Sequence, residues 1–362
     1  MKKVLFIDRD GTIIEEPADE QVDSLEEFRF LPGVITALSK IAKETDFELV
    51  MVTNQDGLGT PAFPEESFRP SHNKMVQILK GEGVEFAEIF IDRTFPDENA
   101  PTRKPGTAML TRYLSQGIDI ESSYVIGDRI TDLKLAENLG CHAIYIKDGP
   151  HPLASFNSTD WNDIYKYLKS IPRKARITRR TKETSIELEI NLDGSGKGKI
   201  STGLGFFNHM LEQIQKHGGI DLTIKASGDL NVDQHHTIED VAITFGEGVL
   251  SALGTKKGTA RYGFLLPMDD SLAQTAIDFG GRPWLIWNVS FTQGMIGEIP
   301  SEMFFHFFKS FSDSAMCNLN IKAEGENDHH KIEAIFKSFA KSLKMAVKKT
   351  DNHNLPSTKG TL

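Results

Sequence analysis

Two short stretches hold the densest chemistry in the chain. "DQHHTIED", residues 233–240, and "NDHHKIEA", residues 327–334, each set two adjacent histidines three residues ahead of a glutamate, in a chain with only 11 histidines. On a helix, residues three or four apart share a face, so Glu239 can lie beside His235 or His236, and Glu333 beside His329 or His330. Adjacent histidines point about 100° apart, so such a pair serves two metal ions more easily than one. A further histidine precedes each pair: His209 in "FFNHMLEQ" and His306 in "FFHFFKS". One isolated histidine on an amphipathic helix is more often a packed or capping residue. Eight ligand-type residues in matched order on two repeats argue instead for metal binding. Imidazole and carboxylate without thiolate suit Mn²⁺, Fe²⁺, Co²⁺ or Zn²⁺ rather than Mg²⁺ or Ca²⁺. A duplicated set suggests two ions, held by one chain or by neighbouring chains.

A second constellation lies earlier. "FIDRDGTI" supplies Asp8 and Asp10, "MVTNQDG" Thr53 and Asn54, "RKPG" Lys104, and "VIGDRITD" Asp128 and Asp132. Each alone is ordinary: a solvated strand end, a turn, a surface cation, a helix cap. Together they recur at the ends of expected strands, where ligands of open α/β sheets bind. Asp8 and Asp10, two apart on extended backbone, are expected to project to one side.

These residues need elements to position them. The first half alternates short apolar runs ("KVLFI", "FELVMVT", "FAEIFID", "SYVIGD", "HAIYI") with helical stretches that include "SHNKMVQILKGEG" and "TAMLTRYLSQ". That alternation predicts an α/β domain whose parallel sheet has helices on both faces. The helix in "TDWNDIYKYLKSIP" closes it, giving domains of residues 1–170 and 171–362. The second half reads helix, strand, turn, His pair, helix, twice over. It predicts an α+β domain of two duplicated units. A net charge of −10 argues against nucleic acid as a partner, and "PRKARITRRTK" reads as a solvated linker and strand. Cys141 and Cys317 are too few for a disulfide framework, and no stretch approaches a membrane span. A soluble, cytoplasmic protein is expected.

Over roughly residues 1–165 the first motifs resemble the haloacid-dehalogenase superfamily of phosphotransferases. The resemblance implies that Asp8 attacks phosphorus to form an aspartyl phosphate. Asp10 would protonate the leaving alkoxide and then activate water. Mg²⁺ would be held by Asp8, the Asp10 carbonyl and Asp128, offsetting the charge of carboxylate attacking phosphate. Thr53 and Lys104 would bind the phosphoryl group, and Asn54 would position a small substrate. "TNQDGLGTPAFP" resembles the histidinol-phosphate phosphatases more closely. That group carries a structural zinc, held by three cysteines and a histidine on the loop before its "RKP". Here the loop reads "IDRTFPDENAPTRKP", with Asp92, Thr94, Ala100 and Thr102 at the four positions. Structural Zn²⁺ is therefore expected to be absent. Pro96, Pro101 and Pro105 are expected to restrict the unfolded loop by about 0.4–1 kcal/mol at each compatible site. The loop is expected to be more mobile than in zinc-bearing relatives.

Residues 176–362 closely resemble imidazoleglycerol-phosphate dehydratase, through the histidine stretches, "RTKET" with Glu183, "ARYG" with Arg261, "GGRPW" with Arg282 and "PSTKG" with Lys359. The resemblance implies two Mn²⁺ bound by His209, His235, His236, Glu239, His306, His329, His330 and Glu333. These metals would bind the two ring nitrogens of the substrate and stabilise its imidazolate while hydroxyl departs. Glu183, or one of the metal-site glutamates, would move the second proton, and Arg261, Arg282 and Lys359 would clamp the phosphate. Fusion of the two activities is a known arrangement in histidine biosynthesis, acting on small phosphorylated imidazole compounds. The dehydratases resembled form 24-subunit shells with metal sites at subunit contacts. Two other readings stay open: a first domain acting on other phosphoesters or inactive, and a metal-buffering assembly.

Overall fold

The computed structural model describes residues 2–18, 20–114, 117–263, 266–350 and 355–357. The chain divides into two compact units, residues 1–171 and 172–362.

In the first unit β1 (Lys3–Ile7), β2 (Phe47–Asn54), β3 (Glu88–Asp92), β4 (Tyr124–Gly127), β5 (His142–Tyr145) and β6 (Phe156–Asn157) form one sheet, ordered β3-β2-β1-β4-β5-β6. Every pairing is parallel. The strands read as unbroken apolar runs because both faces are covered. Leu5, Ile7, Leu49, Met51 and Ile126 face α1 (Val34–Glu44), α2 (Glu65–Gly81) and α4 (Trp161–Ser170). Val4, Phe6, Val50, Val52 and Val125 face α3 (Ile130–Leu139) and the turn Ala108–Leu114. Two elements depart from the sequence reading. Helix α2 begins at Glu65, ahead of Pro70. The stretch after "RKPG" winds as a 3₁₀ helix over Ala108–Leu114, not as an α-helix. Three residues per turn align Leu110 and Tyr113 on one buried face, and Tyr113 meets Phe6 edge-on at 5.4 Å.

Among the described residues, the second unit contains two larger sheets, one two-stranded hairpin and four helices. β7 (Lys174–Arg180), β8 (Thr184–Asn191), β9 (Ile200–Ser201) and β10 (Asp221–Gly228) are ordered β7-β8-β10-β9. β11 (Tyr262–Gly263), β12 (Leu266–Met268), β13 (Ser271–Asp278), β14 (Trp284–Asn288) and β17 (Asn318–Glu324) run β11-β13-β17-β14, with β12 on β13; β15 (Met295–Ile296) and β16 (Ile299–Pro300) make a small hairpin. In each sheet the last strand pairs antiparallel with an earlier one and parallel with an edge strand: β10 with β8 and β9, β17 with β13 and β14. The helices are α5 (Gly205–Gly218), α6 (His235–Leu253), α7 (Met303–Ser314) and α8 (Asp328–Val347). α6 packs on β7, β8 and α7, and α8 packs on β13, β12 and α5. α6 buries residues on nearly every side, as a helix wedged between a sheet and another helix must. One apolar core joins both sheets and all four helices.

Candidate active sites

In the first unit the sheet order reverses between β1 and β4, whose carboxyl ends lie side by side. The crevice outside such a reversal is where open α/β sheets take ligands. β1 ends at Ile7, and Asp10 lies three residues beyond it, bridged to Ile14, rather than on the strand itself. Asp8 and Asp10 nevertheless line one cleft with Glu16, Asn54, Gln55 and Lys104. Lys104 Nζ lies 2.6 Å from Asp8 and 2.7 Å from Asp132, and all three groups are buried. Burial pushes the Asp8 carboxyl up, and Lys104 works against that rise. Burial alone would lower the Lys104 ammonium, but Asp132 and Asp8 hold it up at about 12.

Asp8, Asp128 and Asp132 each place a carboxylate oxygen within 4.8 Å of the others. Asp128 Oδ1 is buried with no hydrogen-bond partner among the described residues. An orphaned oxygen inside a triad of acids fits a hard divalent cation, which would counter both the burial and the mutual repulsion. Gly11 leaves the room this needs. It adopts φ +64°, and a Cβ there would stand 2.6 Å from Asp128 Oδ2. Gly11→Ala is expected to displace the Asp128 carboxylate and weaken activation by a divalent cation about 10–100-fold. An Mg²⁺ titration of phosphate release checks this, with dehydration as the internal control.

The other residues of this group take less direct positions. Thr53 Oγ1 accepts from Gln55 Nε2 at 2.8 Å and reaches Asp10 only at 3.5 Å. Asn54 holds the backbone of Lys104, accepting its N–H at 3.1 Å and donating to its carbonyl at 3.4 Å. Asp10 accepts from Arg9 at 2.7 Å and from Gln55 at 2.5 Å. Gln55 was missed by sequence reasoning, although it adjoins Thr53 and Asn54 in "TNQDG".

In the second unit the histidines separate as their helical spacing requires. His235 faces Glu239 at 3.2 Å, and His306 Nδ1 lies 2.9 Å from the same carboxylate. His235, Glu239 and His306 bring one ligand atom each within 4.8 Å, a donor set that fits a borderline transition metal. The counterpart set is looser. His329 lies 3.7 Å and His209 4.0 Å from Glu333, while Lys337, one turn further along α8, takes Glu333 Oε1 at 2.8 Å. Each cluster therefore combines a helix from one half of the unit with a histidine from the other.

The second histidine of each pair turns away. The rings of His235 and His236 lie 6.3 Å apart at 76°, and those of His329 and His330 6.2 Å apart at 76°. His236 Nδ1 is 3.0 Å from Asp229, and His330 Nδ1 is 2.6 Å from Asp270. Asp270 also accepts the N–H groups of Glu326 and Asn327, which with His330 hold its carboxyl far below the usual range. A carboxylate on Nδ1 fixes the ring and directs Nε2 outward. Gln213, another residue missed from sequence, links His209 to His217 through contacts of 3.2 and 3.1 Å.

Glu183 is exposed, on a loop pinned to α6. Asp240 of that helix accepts from Arg179 at 2.8 Å and from Thr184 at 2.5 Å. The charge of Glu183 is among the influences that raise His236. Arg261 directs its fork onto Asp278 and donates to the Pro356 carbonyl at 2.8 Å. Arg282 is exposed, and its carbonyl accepts from Asn318. The structure does not bring these two arginines into either histidine cluster, and Lys359 lies outside the described residues.

The two units thus define a two-site enzyme: carboxylates and a lysine at the switch point of a parallel sheet, and histidine–glutamate clusters among packed helices. The family model for imidazoleglycerol-phosphate dehydratase matches residues 202–343, and a HAD-hydrolase-like model matches residues 101–168. The chain is 55% identical to a histidine biosynthesis bifunctional protein HisB of Spirosoma linguale and 57% identical to one of Bacteroides fragilis, each alignment covering all of both chains. Among solved structures, it is similar to the imidazoleglycerol-phosphate dehydratase of Staphylococcus aureus, at 35% identity and a TM-score of 0.45. That match covers 49% of this chain and 99% of the other. The chain belongs to the family of bifunctional histidine-biosynthesis proteins. It is an enzyme with two activities, an imidazoleglycerol-phosphate dehydratase (a carbon–oxygen lyase) and a histidinol-phosphatase.

Proposed function

We propose that the phosphatase reaction runs on the Asp8 side of the switch-point cleft. Asp8 attacks phosphorus, Asp10 passes the proton to the departing histidinol oxygen, and Asp10 then takes a proton from the water that frees Asp8. Lys104 meets the charge of the phosphoryl oxygens, with Thr53 beside it. Asp132 holds the Lys104 ammonium, and Asn54 holds its backbone. Mg²⁺, held by Asp8, the Asp10 carbonyl and Asp128, would supply charge neutralisation at the transferring group.

In the second unit His235, Glu239 and His306 would hold one Mn²⁺ and His209, His329 and Glu333 another. The bound ions would withdraw electrons from the substrate imidazole and so help the hydroxyl leave. Glu183 moves the proton of the neighbouring carbon, its loop anchored to the metal helix through Asp240. Arg261, Arg282 and Lys359 bind the phosphate; Arg261 would have to share its fork between phosphate and Asp278. The observation that carries this reading is the convergence of His235, Glu239 and His306 on one point. Assaying the purified chain with both substrates, with Mg²⁺ and Mn²⁺ supplied separately, tests it: each ion is expected to restore one activity.

His236 and His330, locked by Asp229 and Asp270, support sites completed by a neighbouring chain, and so a homo-oligomer; the 24-subunit form rests on the resemblance alone. His236→Ala and His330→Ala are each expected to reduce dehydration more than about 100-fold and to shift the assembly toward smaller species in light scattering. Phosphate release should hold its rate. Two free thiols, Cys141 and Cys317, agree with a cytoplasmic location; among the described residues no helix is long and apolar enough to cross a membrane.

A further inference from the structure

The loop from Asp92 to Lys104 does not fit the zinc that its resemblance would bring. Asp92 is buried at the end of β3. Its Oδ1 already accepts the Thr94 N–H at 2.9 Å and the Thr94 hydroxyl at 2.5 Å, and Thr102 is among the influences that hold its carboxyl low. Ala100 offers no donor at all. Two of the four positions that would surround a metal, Asp92 and Thr94, are thus bonded to each other. A soft tetrahedral site needs thiolate or imidazole at those points.

The same loop is tied a second time, one residue before Lys104. Arg103 sets its fork on Asp56, at 2.5 and 3.0 Å, and the same nitrogen reaches the Thr94 carbonyl at 2.7 Å. Asp56 belongs to the segment that leaves β2 after Asn54 and begins with Gln55. Backbone bonds run alongside: Gln55 N–H to the Asp92 carbonyl at 2.7 Å, and Gly57 N–H to the Arg93 carbonyl at 3.1 Å. A bidentate guanidinium–carboxylate pair fixes direction as well as distance.

We infer that residues 92–104 form a metal-free clasp, in which Asp92 gathers Thr94, and Arg103 ties Asp56 to the Thr94 carbonyl, so that Arg103 is a positioning residue for Lys104. The inference rests on the reading that Lys104 serves the phosphatase site, which Asp8→Asn tests separately. The clasp replaces a metal's grip with directed hydrogen bonds, and it holds the loop where proline restriction alone would not.

Arg103→Met and Asp56→Asn in the full chain are expected to lower kcat for histidinol phosphate between about ten-fold and 10²-fold, the scale of a misplacement near 1 Å. KM should change less than kcat, because the loss lies in aligning Lys104 on the transferring group. Added guanidinium ion should recover part of the rate of Arg103→Ala. Arg103→Lys, which keeps the charge but loses the fork, should recover little. Dehydration by the same preparations reports intact folding of the second unit, and circular dichroism with a melting curve reports the first. A variant that melts with the wild type yet keeps full kcat overturns the positioning role. If every Arg103 and Asp56 variant unfolds the first unit, the clasp is structural only and the positioning role fails. One tightly held zinc per chain in elemental analysis, lost on Asp92→Asn, overturns the metal-free clasp.

Discussion

Asp8→Asn should release no measurable phosphate from histidinol phosphate, a loss of at least about 10³-fold, while dehydration proceeds at the wild-type rate. The amide keeps the shape of the carboxylate but cannot attack phosphorus. The fold should tolerate it. Burial already drives the Asp8 carboxyl toward its neutral form, and Lys104 retains Asp132 at 2.7 Å as a partner. Losing one member of a buried pair strands a charge only when no second partner remains. Parallel assays of one preparation decide the matter, together with its melting temperature. Loss of both activities would count against independent sites.

Glu239→Ala and His235→Ala are expected to do the reverse. Glu239 is the shared partner of His235 at 3.2 Å and His306 at 2.9 Å. Removing it takes away the one anionic ligand and lets both imidazoles repack. Dehydration should fall by more than about 10³-fold and retained manganese by more than about 100-fold, beyond what outer-shell changes cause. Phosphate release with Mg²⁺ should be unchanged. Chelation of the wild-type chain followed by Mn²⁺ should reproduce the loss and restore it. Unchanged metal content in either variant would refute the ligand assignment.

Much of the arrangement was legible in the sequence for physical reasons. A parallel sheet covered on both faces forces continuous apolar runs such as "KVLFI", and these mark where Asp8 and Asp128 must emerge. The divergence of His235 from His236 follows from helical rotation alone. What stayed hidden depends on partners distant in sequence. Nothing periodic links His306 to Glu239, His330 to Asp270, or Arg103 to Asp56; only the packed fold brings them together. The 3₁₀ winding of Ala108–Leu114 was hidden because three- and four-residue spacings of apolar side chains look alike over so short a stretch. Nor does a residue's type reveal that Asp278 takes the fork of Arg261.

The exchange of histidines between the halves of the second unit has a consequence for how the molecule is built. α6 supplies His235 and Glu239, yet His306 arrives from α7; α8 supplies His329 and Glu333, yet His209 arrives from α5. A cut in the connection between α6 and α7 would leave two fragments, each with an incomplete coordination set. Neither fragment could retain metal alone, and only their reassociation would rebuild both sites at once. On this ligand assignment, metal capture at the first cluster would report docking of α7 on α6, and capture at the second would report docking of α8 on α5.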